Sequence, residues 1–495
     1  MSAPPNPEPS KRSMQPLPPS GLVLLCALWA FPTPLHAGLG TQQDSAASQE
    51  DSDPKSVDPL RLSDVPIGPQ VDKVPKRPEP LFEYGDPFLG TGEIKPGLPL
   101  FTGQVLQPDL LFYGTGRLGL QTFSPGGFRG PKTSEAVARL DLYANYQLSG
   151  TERFFASIRP IDEGGQFTRY TLDSVNEDEG FEFEGSTQLQ TIFFEGDFGE
   201  IFPGLDPMDS SEWDLGFSVG RQRVALQDGL LLNDRMDSLG ITRNSILPTG
   251  TSNYRMTALL AVDDIRRSDG VNTDEALLFA LANEADLPIA TVSLDGVYVK
   301  DQKGKEDAFF LGAGAVRRFG KTNAALRVVS SFPEQSRGTK SSQGTLIFSE
   351  ISRNRAHSDD LMYSTWFLGI NDYATSARDG HGGGPLDRAG ILFNALRLSR
   401  YTTALSNDVE DAMGGAIGLQ TYLGDEEHRH QLVLELGWRL DTEDIENSDR
   451  ESLAVGFRYE QAVGQHLVWR IDGFLVGRNN FQPGGGIRTE FLVKF

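Results

Sequence analysis

The stretch SVGRQRVALQDGLLLNDRMDSLGITRN, Ser218 to Asn244, is the most distinctive in the chain. Arg221 and Arg223 alternate on one face of a predicted strand. A polar loop with Asp228, Asn233, Asp234, Arg235 and Asp237 follows, and the next strand carries Arg243. Guanidinium and carboxylate groups in this pattern can line a constriction and recognise anionic or hydroxyl-rich solutes through charge-assisted hydrogen bonds. The same groups can equally brace an inner wall.

Other chemistry is weaker. Asp228, Asp234 and Asp237 offer hard oxygen ligands, but D-x5-D-x2-D is not the EF-hand spacing. His428 and His430 would point the same way on a strand, beside Glu426 and Glu427, yet no third convergent ligand is visible. The string GHGGG, Gly380 to Gly384, is similar to the oxyanion loop of lipases, but that motif has meaning only with a G-x-S-x-G elbow between a strand and a helix of an α/β sheet; the string GFSVG at 216–220 sits in the alternating strand pattern instead, so a flexible loop is expected. No catalytic residue, metal or cofactor is assigned.

The elements that must position these groups are strands. From about residue 109 the chain alternates apolar and polar residues in segments of 9 to 14, separated by Gly, Asp, Asn and Ser. In 139–148, Leu140, Leu142, Ala144, Tyr146 and Leu148 oppose Arg139, Asp141, Tyr143, Asn145 and Gln147. In 431–440, Leu432, Leu434, Leu436, Trp438 and Leu440 oppose Gln431, Val433, Glu435, Gly437 and Arg439, and 452–460 repeats the pattern with Arg458 on its polar side. Each strand therefore has one oily wall and one wet wall. An arginine facing lipid at mid-membrane costs roughly 2 to 4 kcal/mol, and Arg139, Arg439, Arg458 and Arg470 all fall on the wet side, as does Asp472. A water-filled lumen accounts for that.

The last segment, IRTEFLVKF, alternates Ile487, Thr489, Phe491, Val493 and Phe495 and ends the chain on an aromatic. It resembles the signal by which outer-membrane barrels are read by the barrel assembly machinery, with Phe491, Val493 and Phe495 as the residues concerned. At the other end, Lys11 and Arg12 precede the apolar run Gly21–Phe31 and the small-residue site ending at Ala37, which reads as a Sec-type signal peptide over 1–37. Its Cys26 is the chain's sole cysteine, so the mature protein has no disulfide and no thiolate metal site. Residues 38–100 are rich in Pro, Asp and Ser and read as a mostly disordered periplasmic segment, whose end from Pro80 to Phe101 would tuck into a barrel mouth as a partial plug.

Nineteen segments qualify as strands, beginning near 109, 135, 152, 187, 213, 237, 253, 274, 288, 306, 321, 344, 361, 389, 411, 429, 451, 466 and 487. Bacterial single-chain barrels normally use an even number, so one segment is false and the fault is expected between 344 and 410. The fold expected is an all-β, antiparallel transmembrane barrel over 101–495, with about 18 strands and 16 as the fallback. Its longer connections, 163–181 and 374–388, are expected to be extracellular loops or inward folds.

A net charge of -23 makes nucleic acid an improbable partner, and acidic runs such as SVNEDEGFEFEG and TEDIENSD read as solvated loops. The partners expected are outer-membrane lipid and lipopolysaccharide, the barrel assembly machinery and a hydrophilic solute. Around Gly220, Arg221, Gln222, Asp228, Gly229, Asp234, Arg235, Met236 and Asp237 the sequence resembles the alginate-export family of outer-membrane porins. That resemblance, close over about 30 residues, implies an 18-stranded barrel whose pore for an anionic polysaccharide is lined by Arg221, Arg223, Arg235 and Arg243. The readings carried forward are a porin for hydrophilic, anionic or sugar-like solutes, a polysaccharide exporter, and a barrel without transport that serves as enzyme or scaffold.

Overall fold

Strand after strand of this alternating sequence hydrogen-bonds to its chain neighbour. The computed structural model describes residues 79–495 apart from 88–95, 125–131, 164–165, 175–178, 207–212, 268–271, 274–275, 302–305, 335–339, 357, 380–383, 395–397, 399, 402, 425–427, 443–450 and 480. The signal peptide reading and most of the periplasmic segment lie outside the described residues. Eighteen antiparallel strands form a closed barrel. They are β1 (Asp109–Ser124), β2 (Thr133–Gln147), β3 in two pieces (Arg153–Ile158 and Arg169–Ser174), β4 in two pieces (Gly180–Glu182 and Leu189–Asp197), β5 (Leu215–Leu226) and β6 (Leu232–Ile246). There follow β7 (Asn253–Asp263), β8 (Ala276–Asp286), β9 (Thr291–Asp301), β10 (Ala308–Phe319), β11 (Thr322–Pro333) and β12 (Gly344–Asn354). The last six are β13 (Leu361–Asn371), β14 (Ala412–Tyr422), β15 (His430–Asp441), β16 (Ser452–Val463), β17 (Leu467–Arg478) and β18 (Phe481–Lys494).

Closure is made by Gly485–Lys494 of β18 against Thr115–Ser124 of β1. Beyond that register the Phe495 amide donates to the Gly114 carbonyl at 3.0 Å, and the Gly114 amide donates back at 2.7 Å. A side chain at Gly114 would meet the Phe495 ring, its Cβ lying 2.6 Å from a ring carbon, so this seam needs a glycine. A sheet closed in this way leaves no unpaired edge, which is the condition for strands to cross lipid. With an even strand count both termini share one end, the periplasmic one in barrels of this class. Short turns such as Gly320–Lys321 lie at that end, and the long connection 372–411 lies at the other.

Three sequence expectations are corrected here. The segment beginning near 389 is not a strand but part of connection 372–411, which restores the even count. Within 163–181, Arg169–Ser174 pairs with Thr133–Val137 of β2 and belongs to the wall. The plug reading of Pro80–Phe101 is not met by its described residues: Phe82–Tyr84 pairs with Leu110–Phe112 of β1 on the rim, Leu98–Pro99 pairs with Val105–Leu106, and Phe101 is fully exposed.

Along the wall, Leu434, Leu436, Leu453 and Val455 are exposed on the outside while Glu435 and Arg439 are buried on the inside. An eighteen-stranded barrel is too wide for its own side chains to fill, and two chain segments fold inward to occupy it. Pairing of β5 with β4 stops at Arg221, and pairing of β6 with β7 stops at Asp237, yet β5 and β6 pair with each other out to Leu226 and Leu232. The hairpin Gln222–Met236 thus leaves the wall. Gly220 marks the bend: its φ is 126°, and a Cβ there would lie 2.3 Å from the Ile192 carbonyl oxygen, so only glycine fits. Leu230, Leu231, Leu232 and Met236 of the hairpin are fully buried in one apolar cluster with Leu278, Val299, Phe310 and Phe348 from the inner wall. Connection 372–411 is the second inward segment, and it joins the same cluster through Leu392, Phe393 and Leu405 beside Phe367, Ala416 and Ala454.

Candidate functional site

The two inward segments are stitched to each other by backbone bonds. The Ser376 amide donates to the Leu231 carbonyl at 3.0 Å, the Asn233 amide to Ala377 at 3.0 Å, and the Asp379 amide to Asn233 at 3.0 Å. Arg378 adds bonds to the carbonyls of Gly229 and Gly384 at 2.7 and 2.8 Å. The long connection is also clamped to the wall. Glu435 accepts from the amides of Ile391 and Leu392 at 3.0 and 2.8 Å and from the Tyr363 hydroxyl. Arg439 donates to the Asp408 carbonyl at 3.0 Å and pairs with Asp441 at 2.7 Å, and Arg400 pairs with Glu135 at 2.8 Å. Tyr401 stands edge-on between Phe123 and Phe474. Burial, and then the nearby Asp472 carboxylate, push its phenol well above the ordinary range, so it stays neutral.

Opposite these folds the inner faces of β1, β2 and β16–β18 carry an ion network. Arg117 pairs with Glu490 at 2.5 Å, Arg139 with Asp141 at 2.7 Å, and Arg159 with Asp141 at 2.8 Å. Arg458 and Arg488 each hold Asp472 at 2.6 Å, Arg488 also meets Glu490 at 2.8 Å, and Arg470 pairs with Glu460 at 2.5 Å. Arg488 is fully buried and its guanidinium lies 5.7 Å from the Tyr401 ring, so wall and inward connection meet there.

Between the network and the inward folds lies a cavity of about 500 Å³, lined by Arg117, Arg139, Arg378, Arg388, Arg458 and Arg470 against only two carboxylates, Asp228 and Asp387. A second space of about 1000 Å³ lies on the other side of the hairpin tip and is lined by Ser218, Thr242, Asn283 and Ser293 among others. Asp228 lines both. It sits in the left-handed turn Gln227–Gly229 and is held by Arg327 and, at 3.6 Å, by Arg388. A carboxylate gripped by arginines from the wall and from the long connection therefore stands between the two spaces.

The expected site residues divide. Arg139, Arg458 and Arg470 line the first cavity, with Asp141 and Asp472 holding their network in place. Asp228 lies between the two spaces and Arg223 beside the second, bonded to Asn233 at 2.7 Å. Asp234 is fully buried on the amide and guanidinium of Arg266, Arg235 meets Asp379 at 3.0 Å, and Glu435 and Arg439 lie under the inward connection; all four brace. Arg221 and Asp237 pair at 2.9 Å on the side continued by Val219 and Leu239, with Asp264 also on Arg221, where they close the outside of the bend. Arg243 follows Leu239 and Ile241 on that outer side. The calcium reading fails because Asp228, Asp234 and Asp237 each sit on a different arginine. His428 meets Asp359 and His430 meets Tyr459, each with its own partner; Glu426, Glu427 and His381 lie outside the described residues. Sequence reasoning missed Arg117, Arg378 and Arg388. Strand parity opposite Leu118 and Leu120 was a usable signal for Arg117, and nothing marked the two in the connection.

No protein-family model matches the chain, and no curated protein is similar to it. Among solved structures, OccK2 (OpdF) of Pseudomonas aeruginosa in complex with glucuronate is similar at 10% identity and a TM-score of 0.51, covering 78% of this chain and 98% of its own. OccAB3 of Acinetobacter baumannii is similar at 11% and 0.50, covering 78% and 99%. The outer membrane protein OpdK of Pseudomonas aeruginosa is similar at 8% and 0.50, covering 78% and 98%. The fold is that of a porin-type outer-membrane barrel. At such low identity the likeness carries the architecture alone, and the porin-type barrel's inner chemistry is read from its own side chains.

Proposed function

We propose that this barrel is an outer-membrane porin for passive passage of hydrophilic solutes, with anionic and sugar-like ones favoured, through a lumen lined by arginines. The observation that carries this is the cavity with six arginines against two carboxylates, in a chain whose overall charge is strongly negative. The glutamates and aspartates behind the arginines fix their direction, so a transverse field acts on any solute in the passage. The second space adds hydroxyl and amide groups suited to sugar hydroxyls. OccK2, which shares the fold, was solved with glucuronate bound, and a carboxylate on a sugar ring suits the arginine-lined cavity. Sec-type export, cleavage after Ala37 and recognition of Phe491, Val493 and Phe495 by the assembly machinery belong to the same reading; Phe491 and Val493 face outward, exposed to lipid.

The mature protein refolded into planar bilayers should give open channels that prefer anions, with current noise or block on adding glucuronate. Correctly folded barrel without conductance would sink the porin reading. A second reading, an exporter of an anionic polysaccharide such as alginate, is favoured by one feature: the residues that carry the family resemblance form the inward hairpin. Block by alginate oligomers at concentrations where glucuronate has no effect would favour it.

A further inference from the structure

On the outer wall at the periplasmic end, the register aligns Phe319 of β10 with Thr322 of β11, Arg353 of β12 and Met362 of β13 in one row. One row toward the membrane lie Arg317, Ala324, Ile351 and Ser364. Phe319, Ile351 and Met362 are 51%, 46% and 57% exposed, as lipid-facing residues are. Strands lie about 4.8 Å apart, so two strand spacings, on the order of 10 Å, separate the backbone of Phe319 from that of Arg353. Arg317 and Arg353 flank this apolar patch, and Lys321 stands in the turn below it.

These three cations differ from the arginines of the lumen. Among the described residues, none of Arg317, Lys321 and Arg353 has a carboxylate at ion-pair distance; Arg317 instead lies over the Phe319 ring at 4.3 Å. Arg318 donates to the carbonyl of Gly320 in its own turn at 2.9 Å. The acids nearest Arg353 in sequence are engaged elsewhere: Glu350 pairs with Arg327 at 2.5 Å, Asp359 meets His428 at 2.8 Å, and Asp360 accepts from Thr421 at 2.8 Å with Arg355 at 3.8 Å. A chain with 68 acidic against 45 basic side chains has no shortage of partners to offer. Other connections at this end are acidic, with Glu200, Asp206 and Asp214 between β4 and β5 and GDEEH between β14 and β15.

We infer that Arg317, Lys321 and Arg353 form a binding site on the outer wall for the anionic headgroup of a glycerophospholipid in the periplasmic leaflet. The headgroup phosphates would meet the three cations, and the glycerol and upper acyl chain would lie on Phe319, Ile351 and Met362. A cation stacked on an interfacial aromatic and open to the headgroup layer is a suitable anchor, and each such cation strengthens attraction to anionic lipid.

The test uses the mature protein purified as folded barrel, its folding checked by heat-modifiable migration in a gel, and native mass spectrometry after adding equal phosphatidylglycerol and phosphatidylcholine. The wild type should retain phosphatidylglycerol in preference. The double variant Arg317→Gln/Arg353→Gln should lower that preference about tenfold, and Arg429→Gln, on another part of the same rim and bonded to the carbonyls of Ala462 and Gly464, should leave it unchanged. Equal retention of the two lipids by the wild type, or undiminished preference in the folded double variant, overturns the site. Displacement of phosphatidylglycerol by millimolar inorganic phosphate also overturns it, because the site would then take free phosphate. Channel conductance is a separate readout, so this inference and the porin reading fail independently.

Discussion

The barrel uses the same arginine–carboxylate chemistry in two regions to different ends. On β1, β2 and β16–β18 the guanidinium groups stand on a wall with carboxylates behind them and the cavity in front. In the hairpin Gln222–Met236 and its base, Asp234 is held by Arg266, Arg235 by Asp379, and Arg221 by Asp237. The difference is where the water is. A wall arginine whose acid partner sits beside it on the strand retains an open side toward the passage, whereas a charge beneath a folded-in segment must be fully paired because burial of an unpaired ion is too costly. Density of charge in the sequence therefore marks the segment that needs bracing, whereas the arginine-lined cavity draws on sparse single arginines spread over distant strands.

The largest effect that would break this comparison comes where the wall network meets the inward connection 372–411. Arg488→Met removes a fully buried cation shared by Asp472 and Glu490 and should destabilise the barrel by about 3 to 5 kcal/mol, read as a lowered urea midpoint in refolding. An unchanged midpoint would mean that the wall network contributes nothing to assembly. Next comes Glu435→Ala, which strands the amides of Ile391 and Leu392, each costing about 1 to 3 kcal/mol. The connection should lift from the wall, with larger and noisier single-channel conductance; steady wild-type current would show that its apolar residues alone hold it.

The smallest effect sharpens the division between the regions. Arg470→Gln removes one cation from the cavity lining and should lower the anion preference roughly threefold to tenfold at low salt, measured as the reversal potential in a salt gradient. Arg243→Gln, on the outer side with Leu239 and Ile241, should leave the reversal potential where it was. Equal shifts in both variants would erase the distinction.

The sequence by itself determined the wall. Period-two alternation, the placing of Arg139, Arg439, Arg458 and Arg470 on the polar parity and an aromatic end state which face meets lipid, because a charge misplaced at mid-membrane costs more than local propensity can offset. It also located the false strand to within 344–410, since an odd count cannot bring both termini to one end. Arg139, Arg458 and Arg470 were legible on that basis. What only the tertiary structure decided is how the lumen is filled. The run Leu230–Leu232 and the residues Leu392, Phe393 and Leu405 are apolar without a strand's period, and nothing local says that they turn inward. Their places depend on contacts between residues more than a hundred positions apart, such as Ser376 with Leu231, and on one glycine, Gly220, that lets the hairpin leave the wall. The passage is what remains after those segments dock, so Arg378 and Arg388 become part of it through packing that no local pattern encodes.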